Sequence, residues 1–300
     1  MNAVLQNESP FALDRPQAYR RWRERKLERY PSGAEDLVVE VRDPRALRDS
    51  EVAQLRRVCA VANMAVYSSA LAGATDKAPV QRVAERLGLG RLQANPLADE
   101  DGVSSLEVTP EKSGRGYIPY SSRRLLWHTD GYYNPPARRV RAFLLHCVRP
   151  AATGGENRLL DPEIAYLLLR DADPRHIEAL CAADAMTVPA NEEDPGAQRG
   201  AQAGPVFSLD EGALHMRYTA RTRSIEWRAD AATQAAVQRL REILDSESPY
   251  IFRLRLAPGQ GLVCNNVLHD RSAFADAPGA GRLVYRARYG DRIVGRIAAA

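Results

Sequence analysis

The sequence has no apolar run long enough to span a bilayer, and no secretion signal is recognisable at its start. Its four cysteines are widely scattered and show neither the paired spacing of a zinc site nor that of a disulfide framework. No linker-like stretch divides the 300 residues in the middle. These absences argue against a membrane protein and a disulfide-bonded secreted scaffold, and they predict a cytoplasmic location.

A large excess of charge of one sign is lacking as well. Lysine plus arginine number 42 and aspartate plus glutamate 38, a formal net charge of +4. This excess slightly favours small anionic ligands, so we predict a small-molecule substrate, no nucleic-acid partner and no membrane association. Basic residues cluster in segment 16–30, which we interpret as a solvated helix with Trp22 and Leu27 docked on the body. Binding of nucleic acid by this segment is the less favoured interpretation.

Hydrophobic periodicity indicates the secondary structure. Helices are predicted at about 50–63, 79–87, 161–169 and 231–245, and strands at 37–41, 65–67, 103–108, 140–148, 213–218 and 282–289. Residues 251–256 and 262–264 are predicted to pair as a hairpin. Segments 93–122 and 190–205 are typical of loops that cover a site. The pattern favours a mainly β fold with helical insertions (α+β), a double-sheet jelly roll: an N-terminal arm, 1–45, and one domain, 46–300.

The stretch Trp127-His128-Thr129-Asp130 carries the first candidate for chemistry. On extended chain His128 and Asp130 point to the same side, because side chains alternate with a period of two. His269, on a predicted strand far downstream, is placed to supply a second imidazole. Two histidines and one carboxylate on one face are the ligand set of non-haem Fe(II) oxygenases. A lone His-x-Asp more often marks a surface turn, so this prediction depends on the residues downstream of His269.

Three arginines lie after His269 on a predicted strand. Arg282, Arg286 and Arg288 share a face if the chain is extended there. A guanidinium presents a flat fork of donors that matches a carboxylate. The three arginines therefore suit a dicarboxylate co-substrate beside the proposed metal.

In this order, His128-x-Asp130, His269, Arg282 and Arg286 resemble the taurine dioxygenase/TfdA (TauD/TfdA) family of Fe(II)- and 2-oxoglutarate-dependent dioxygenases. The likeness covers roughly residues 125–289 and depends on order and spacing together. It implies a jelly-roll catalytic domain, or double-stranded β-helix, that binds Fe(II) and uses 2-oxoglutarate and O2 as co-substrates. Hydroxylation of an organic substrate would release succinate and CO2. Asp130 favours hydroxylation, because related halogenases lack the carboxylate ligand.

The resemblance also implies roles for individual residues. Arg282 would clamp the far carboxylate of 2-oxoglutarate. Segment 153–157, Thr-Gly-Gly-Glu-Asn, resembles the family's Gly-Gly-acid-Thr turn, with Asn157 in place of the threonine that touches the co-substrate. An arginine at the place of Arg286 grips a sulfonate in the taurine enzyme's subfamily, which predicts a small sulfonate, carboxylate or amino acid as substrate. Members of the family often associate, so a homo-oligomer is expected.

Tyrosines around the metal motif are further candidates. Tyr120 and Tyr132, with Tyr117 and Tyr133 beside them, are predicted to line the substrate pocket, although packing in the core is equally expected. Aromatic faces also suit a trimethylammonium substrate, as in the butyrobetaine hydroxylases that share this domain. The zinc-binding cysteine cluster of those enzymes is absent from this sequence.

Two other classes stay open. A zinc hydrolase could use the same two histidines and carboxylate, but Arg282 has no role in it. A non-catalytic jelly-roll binding protein would leave a complete metal triad unexplained. We interpret His146, in the apolar run 140–148, as a core histidine and Cys59 as a core thiol, not as a ligand and a nucleophile.

Overall fold

The computed structural model describes residues 9–71, 75–93, 98–109, 118–191, 198–222 and 225–294. Within these residues the helices are α1 (Pro16–Arg29), α2 (Asp49–Ala62), α3 (Ala78–Leu87), α4 (Pro162–Ala172), α5 (Pro174–Leu180) and α6 (Ala231–Asp245). Short 3-10 turns lie at Ala34–Leu37, Ile118–Tyr120 and Pro136–Arg138. No helix of the described residues is long and apolar enough to cross a membrane.

Aspartate side chains begin the last three of these helices. The carboxylates of Asp161, Asp173 and Asp230 accept hydrogen bonds from backbone N–H groups in the first turns of α4, α5 and α6. Such caps satisfy N–H groups that have no partner within the helix. Proline follows the cap in α4 and α5, where its fixed φ fits the first turn. Helix α5, which contains His176, was not predicted.

The larger sheet has six strands. In spatial order these are β1 (Val38–Glu40), β2 (Met64–Ser68), β14 (Gly261–Cys264), β5 (Ala142–Arg149), β17 (Leu283–Tyr289) and β3 (Ser104–Leu106). Strands β1 and β2 are parallel, and every other neighbouring pair is antiparallel.

A four-stranded antiparallel sheet packs against it. Its order is β13 (Phe252–Leu254), β7 (Asn157–Leu160), β15 (Leu268–Arg271) and β4 (Leu125–His128). Smaller sheets are formed by β6 (Thr153–Gly154) with β16 (Phe274–Ala275), by β8 (Met186–Val188) with β9 (Gln202–Gly204) and β12 (Glu226–Trp227), and by β10 (Phe207–Asp210) with β11 (Ala213–Met216). The described chain is therefore a mixed α and β structure with several sheets.

The predicted hairpin at residues 251–264 is wrong. Strand β13 pairs with β7 in the four-stranded sheet, whereas β14 pairs with β2 and β5 in the six-stranded sheet. The turn between them thus carries the chain from one sheet to the other. A turn between two apolar runs indicates a change of direction but does not specify which edges the runs will meet.

Strand β17 separates two hydrophobic clusters. Its residues Arg286 and Arg288 pair in register with Leu145 and Phe143 of β5, so these side chains share one face of the sheet. That face meets the four-stranded sheet, since Leu145 and Phe143 belong to the same buried cluster as Leu159 and Leu268. Tyr285, Ala287 and Tyr289 point the other way, toward α2 and α3. The two arginines therefore lie between the sheets.

The N-terminal region is tied to the body of the chain. Lys26 of α1 is buried, and its Nζ donates to Asp161 Oδ2 at 2.5 Å and to Glu163 Oε2 at 2.6 Å. Burial would lower the pKa of Lys26, but the two carboxylates outweigh that effect and raise it. Phe11 and Ala12 are also buried. The described part of the arm is therefore docked on the body at Phe11, Ala12 and Lys26.

Parts of the two predicted covering loops fall outside the described residues. These parts are 94–97 and 110–117, with Tyr117, in the first loop, and 192–197 in the second. The described remainder contains β3 in the first loop and β9 in the second.

Candidate active site

The three proposed metal ligands meet on the four-stranded sheet. His128 on β4 and His269 on β15 are directly opposite each other in the antiparallel register, so their side chains share one face. Asp130 comes two residues after His128 and lies on the same side. One ligand atom from each of the three residues lies within 4.8 Å of the others, and all three residues are buried. The pairing of two distant strands explains how a motif at 128–130 meets a histidine 139 residues later.

Both imidazoles have a defined tautomer. Nδ1 of His128 lies 2.9 Å from the carbonyl oxygen of Leu126, and Nδ1 of His269 lies 2.9 Å from that of Val267. A carbonyl only accepts, so each Nδ1 carries the proton and each Nε2 keeps its lone pair. Burial lowers the pKa of His128 to about 3, with His269 contributing, and burial also lowers the pKa of His269. Both rings are therefore neutral near pH 7, as a metal ligand requires.

Asp130 is ionised and has one free oxygen. Burial opposes its charge, but Arg286 and then Arg288 outweigh that effect and hold its pKa below the usual range. Its Oδ1 accepts from Arg286 Nη1 at 3.2 Å. Its buried Oδ2 has no hydrogen-bond partner within the described part of the chain. Two free Nε2 atoms and one orphaned carboxylate oxygen fit a divalent metal with two histidine ligands and one carboxylate.

The side chain of Asn266 hydrogen-bonds the backbone of Asp130, a role that the sequence analysis did not predict. Its Oδ1 accepts from the Asp130 N–H at 2.8 Å, and its Nδ2 donates to the carbonyls of Asp130 at 3.0 Å and Val140 at 2.7 Å. Its φ of 51° lies in the left-handed region, which asparagine tolerates better than most residues. The only signal in the sequence is its position, three residues before His269, and that signal did not point to Asp130.

Gly131 makes the turn after the carboxylate ligand possible. Its φ is +68°, and a Cβ at this position would lie 2.6 Å from Cγ2 of Val140. Both the backbone conformation and the space therefore require glycine. This residue and Asn266 together fix the direction in which Asp130 leaves the end of β4.

The proposed co-substrate residues line one cavity. Arg282 and Asn157 both border it, together with Gly154 and Gly155 of the predicted Gly-Gly turn. The turn has positive φ at both glycines, and a Cβ on Gly154 would lie 2.2 Å from the carbonyl oxygen of Ala273. The cavity has room for about one water molecule, so a dicarboxylate would enter only if side chains around it moved.

Arg271 is a second buried cation of this region that the sequence did not indicate. Its guanidinium donates to the carbonyls of Ser121 and Arg123, both at 2.7 Å, and lies 4.8 Å from the Phe274 ring centroid. Arg282 lies 5.3 Å from the same centroid. Burial, and then Arg282 and Arg286, lower the pKa of Arg271 to about 9. Three guanidinium groups thus lie close together, which makes this end of the site strongly positive.

Arg288 and its neighbours form the other side of the site. Arg288 is only 5% exposed, and its Nη1 donates to the Tyr133 hydroxyl at 3.1 Å. Tyr132 packs edge to face on Tyr133 with ring centroids 5.2 Å apart, and its carbonyl accepts from Arg217. Tyr120 is buried and close enough to Arg288 to affect its pKa. The predicted tyrosines therefore lie near the metal motif, Tyr120 within the core and Tyr132 half-buried.

Several further polar side chains have structural partners. The guanidinium of Arg217 donates to four backbone carbonyls, of Tyr132, Met186, Gly204 and Gln202. His146 is buried and bonded to the Tyr67 hydroxyl at 2.8 Å, and Cys59 is a buried free thiol, so both are core residues as predicted. A larger surface cleft of about 260 Å³, lined by Arg141, His215 and Arg292, contains none of the metal ligands.

Two curated relatives share a name. The chain is 33% identical over 172 residues to a uridine-5'-phosphate dioxygenase from Amycolatopsis sp, a match covering 55% of this chain and 61% of that protein. It is 28% identical over 214 residues to a uridine-5'-phosphate dioxygenase from Streptomyces sp, covering 69% of this chain and 77% of the relative. The match thus spans less than two thirds of the Amycolatopsis protein.

Among solved structures, asparagine oxygenase in complex with Fe(II), 2S,3S-3-hydroxyasparagine and succinate has a similar fold. The TM-score is 0.60 at 18% identity, covering 80% of this chain and 78% of that one. The model of the family "Taurine catabolism dioxygenase TauD, TfdA family" matches residues 24–288, nearly the whole of the described structure. This match and the ligand geometry agree with the resemblance found in the sequence, and the chain belongs to the TauD/TfdA family of dioxygenases.

Proposed function

We propose that this protein is an Fe(II)- and 2-oxoglutarate-dependent dioxygenase that hydroxylates a small anionic substrate. The observation that carries the proposal is the buried cluster of His128, Asp130 and His269, in which one ligand atom from each residue lies within 4.8 Å of the others and both imidazoles have a free Nε2. Membership in the TauD/TfdA family supports the same chemistry. Bound Fe(II), with 2-oxoglutarate and O2, would supply the oxidising chemistry that yields hydroxylated substrate, succinate and CO2.

The residues of the chain provide position, charge and exclusion of water. His128, Asp130 and His269 would hold the metal, and the backbone carbonyls behind both rings fix their orientation. Arg282 and Asn157 would take the far carboxylate of 2-oxoglutarate. Arg282 supplies a forked, permanently charged donor, and burial strengthens its attraction for an anion. Apolar residues of both sheets, such as Phe143, whose ring centroid lies 4.7 Å from that of His269, keep the site dry.

The charge of the site supports an anionic substrate. Arg271, Arg282, Arg286 and Arg288 are all buried near the metal ligands, and among the described residues the carboxylates that act on them are that of Asp130 and, at Arg282, that of Asp276. Uncompensated buried charge is costly, so anions are favoured to enter. The two curated relatives are named for uridine-5'-phosphate, and a nucleoside 5'-phosphate is the substrate that we propose first. A trimethylammonium compound is disfavoured, because it would meet the same positive charge.

The proposal also includes the type of fold, the residues of the substrate pocket, the location of the protein and its assembly. The two facing sheets are proposed to be a double-stranded β-helix within one catalytic domain, 46–300, preceded by the docked arm. Tyr120, Tyr132 and Arg286 keep their proposed place beside the substrate pocket, where the Arg286 guanidinium also donates to Asp130 Oδ1. A cytoplasmic location and a homo-oligomer stay predictions. A zinc hydrolase and a non-catalytic binding protein are disfavoured by the family membership.

The experiment is anaerobic. Fe(II) and 2-oxoglutarate are added to the purified protein, and the weak visible charge-transfer band of an Fe(II)-chelated keto acid is recorded. The band should appear in the wild type, and Arg282→Ala should need about 10- to 100-fold more 2-oxoglutarate to develop it. Arg175→Ala is the control, because Arg175 is an exposed arginine paired with Asp173. Absence of the band from wild-type protein at any 2-oxoglutarate concentration would contradict the proposal.

A further inference from the structure

We propose that Arg288 and Tyr133 form the subsite for the anionic group of the substrate, a phosphate monoester, while Arg286 serves as a positioning residue for Asp130. The inference rests on the proposed function and deepens it. It assigns the substrate anion to a different arginine from the one that the family resemblance indicates. The direction of Arg288, the partners of each arginine and the chemistry of the donors support it.

The register of β17 directs Arg288 into the site. Arg288 is directly opposite Phe143 of β5, so both side chains leave the same face of the sheet. The Phe143 ring contacts the ring of His269, with centroids 4.7 Å apart. Arg288 is therefore beside the metal ligands, and Asp130 is near enough to contribute to raising its pKa. A group bound by Arg288 would place the rest of a small substrate next to the metal.

The arginines have different partners. Arg286 donates to Asp130 Oδ1 at 3.2 Å, and Arg282 borders the cavity of the proposed co-substrate. Arg288 donates to the Tyr133 hydroxyl and, among the described residues, has no carboxylate within 4 Å of its guanidinium. It is nevertheless 5% exposed. The nearby Asp130 carboxylate offsets part of the cost of burying this guanidinium, and an anionic ligand bound directly to it would offset more.

The donors around Arg288 suit a phosphate. The guanidinium offers a fork of N–H groups, and the Tyr133 hydroxyl can donate to a ligand oxygen when it accepts from Arg288. A second guanidinium, that of Arg199, lies 5.9 Å from the centroid of the Tyr133 ring. A phosphate monoester carries three acceptor oxygens and a charge of about −1.5 to −2 near pH 7. It can therefore use several donors and two cations where a carboxylate would leave some unused.

The test measures equilibrium binding to the complete enzyme loaded anaerobically with Fe(II) and 2-oxoglutarate. Uridine-5'-phosphate, uridine and inorganic phosphate are titrated by calorimetry into wild type, Arg288→Gln, Arg288→Lys, Tyr133→Phe and the exposed control Arg175→Gln. Arg288→Gln should weaken binding of uridine-5'-phosphate by about 10- to 100-fold and that of uridine by less than about 2-fold. Arg288→Lys keeps the charge but loses the fork, so its loss should be intermediate.

The charge-transfer band separates failure of the inference from failure of the proposed function. If the band is normal and Arg288→Gln binds uridine-5'-phosphate as wild type does, the subsite is wrong and the dioxygenase stands. If the wild type has the band but binds neither uridine-5'-phosphate nor inorganic phosphate, the phosphate assignment is overturned. If wild type lacks the band, the proposed function is contradicted, and the inference, which depends on it, is contradicted as well. If Arg288→Gln misfolds, its own charge-transfer band will be lost, and Tyr133→Phe then tests the subsite instead. Tyr133→Phe should weaken binding of uridine-5'-phosphate by about 3- to 10-fold. Unchanged binding by Tyr133→Phe would contradict the subsite.

Discussion

Asp130 and Arg286 face each other across the gap between the two sheets, with Oδ1 and Nη1 3.2 Å apart and the residues 5% and 6% exposed. The carboxylate belongs to the end of a strand in the four-stranded sheet, and the guanidinium belongs to β17 in the six-stranded sheet. Arg286 thereby fixes Oδ1, which also lies 3.7 Å from His128 Nε2, while Oδ2 has no hydrogen-bond partner among the described residues. A residue predicted to hold substrate thus contacts a proposed metal ligand.

The first prediction concerns iron affinity. Arg286→Gln should weaken Fe(II) binding by about tenfold or more, because the partner that orients the Asp130 carboxylate is lost. Arg175→Gln, at an exposed position paired with Asp173, should change Fe(II) affinity by less than about twofold. Anaerobic titration with Fe(II) measures both. Native iron affinity in Arg286→Gln, together with a raised KM for substrate, would instead make Arg286 a substrate clamp.

The second prediction uses two neighbouring asparagines. Asn266→Asp keeps the oxygen that accepts from Asp130 but removes the donor to two buried carbonyls, so it should lower stability by roughly 2–4 kcal/mol and weaken Fe(II) binding. Asn265→Asp also loses buried donors, to Asn63 and Ile293, and should destabilise the fold without weakening Fe(II) binding. Urea unfolding and Fe(II) titration distinguish the two. Equal effects on iron would argue against a special role of Asn266.

The third prediction concerns the docked arm. Lys26→Met should cost about 3–5 kcal/mol of stability, because the fully buried Asp161 and the half-buried Glu163 lose the ammonium group that contacts them directly. Arg25→Met, at an exposed position one residue earlier in α1, should change stability by less than about 0.5 kcal/mol. Chemical denaturation checks both variants. A Lys26→Met protein as stable as wild type would mean that the ion pairs of Lys26 contribute little to the fold.

The fourth prediction is a pH dependence of stability. Burial lowers the pKa of His146 from its usual 6.5 to about 4, opposed weakly by Asp76. The folded state therefore holds His146 neutral where the unfolded chain takes up a proton. Its contribution is present above about pH 6.5 and is lost as the pH falls toward about 4, by up to about 3 kcal/mol. Comparing wild type with His146→Gln across this range isolates the effect, and parallel curves for the two proteins would contradict it.

Much of the site could be predicted because its residues obey short-range rules. The period of two placed His128 and Asp130 on one side and Arg286 and Arg288 on one face, and the structure has both arrangements. Helices α4 and α6 begin close to the predicted positions, each after an aspartate cap, Asp161 or Asp230. These features depend on local backbone geometry, which is the same whatever distant segments pack against the strand or helix.

The partners of polar side chains could not be predicted in the same way. Asn266 bonds to the backbone of Asp130, 136 residues away in sequence, and Arg271 bonds to carbonyls about 150 residues away. The hairpin failed for a similar reason, because β13 and β14 found edges in different sheets. Hydrogen-bond partners and strand pairings of this kind are determined by the packing of distant segments. The periodicity within one segment therefore cannot predict them.

The position of the site between two sheets has a consequence for substitutions far from any ligand. The contact between Asp130 and Arg286 bridges a gap whose width is set by the apolar side chains that fill it, among them Leu145 and Leu159. Protein interiors are close-packed, so one added or removed methylene group in this layer changes the spacing of the sheets or strains the side chains. We therefore expect the volume of the side chains between the sheets to affect metal affinity, even where the substituted residue contacts no ligand.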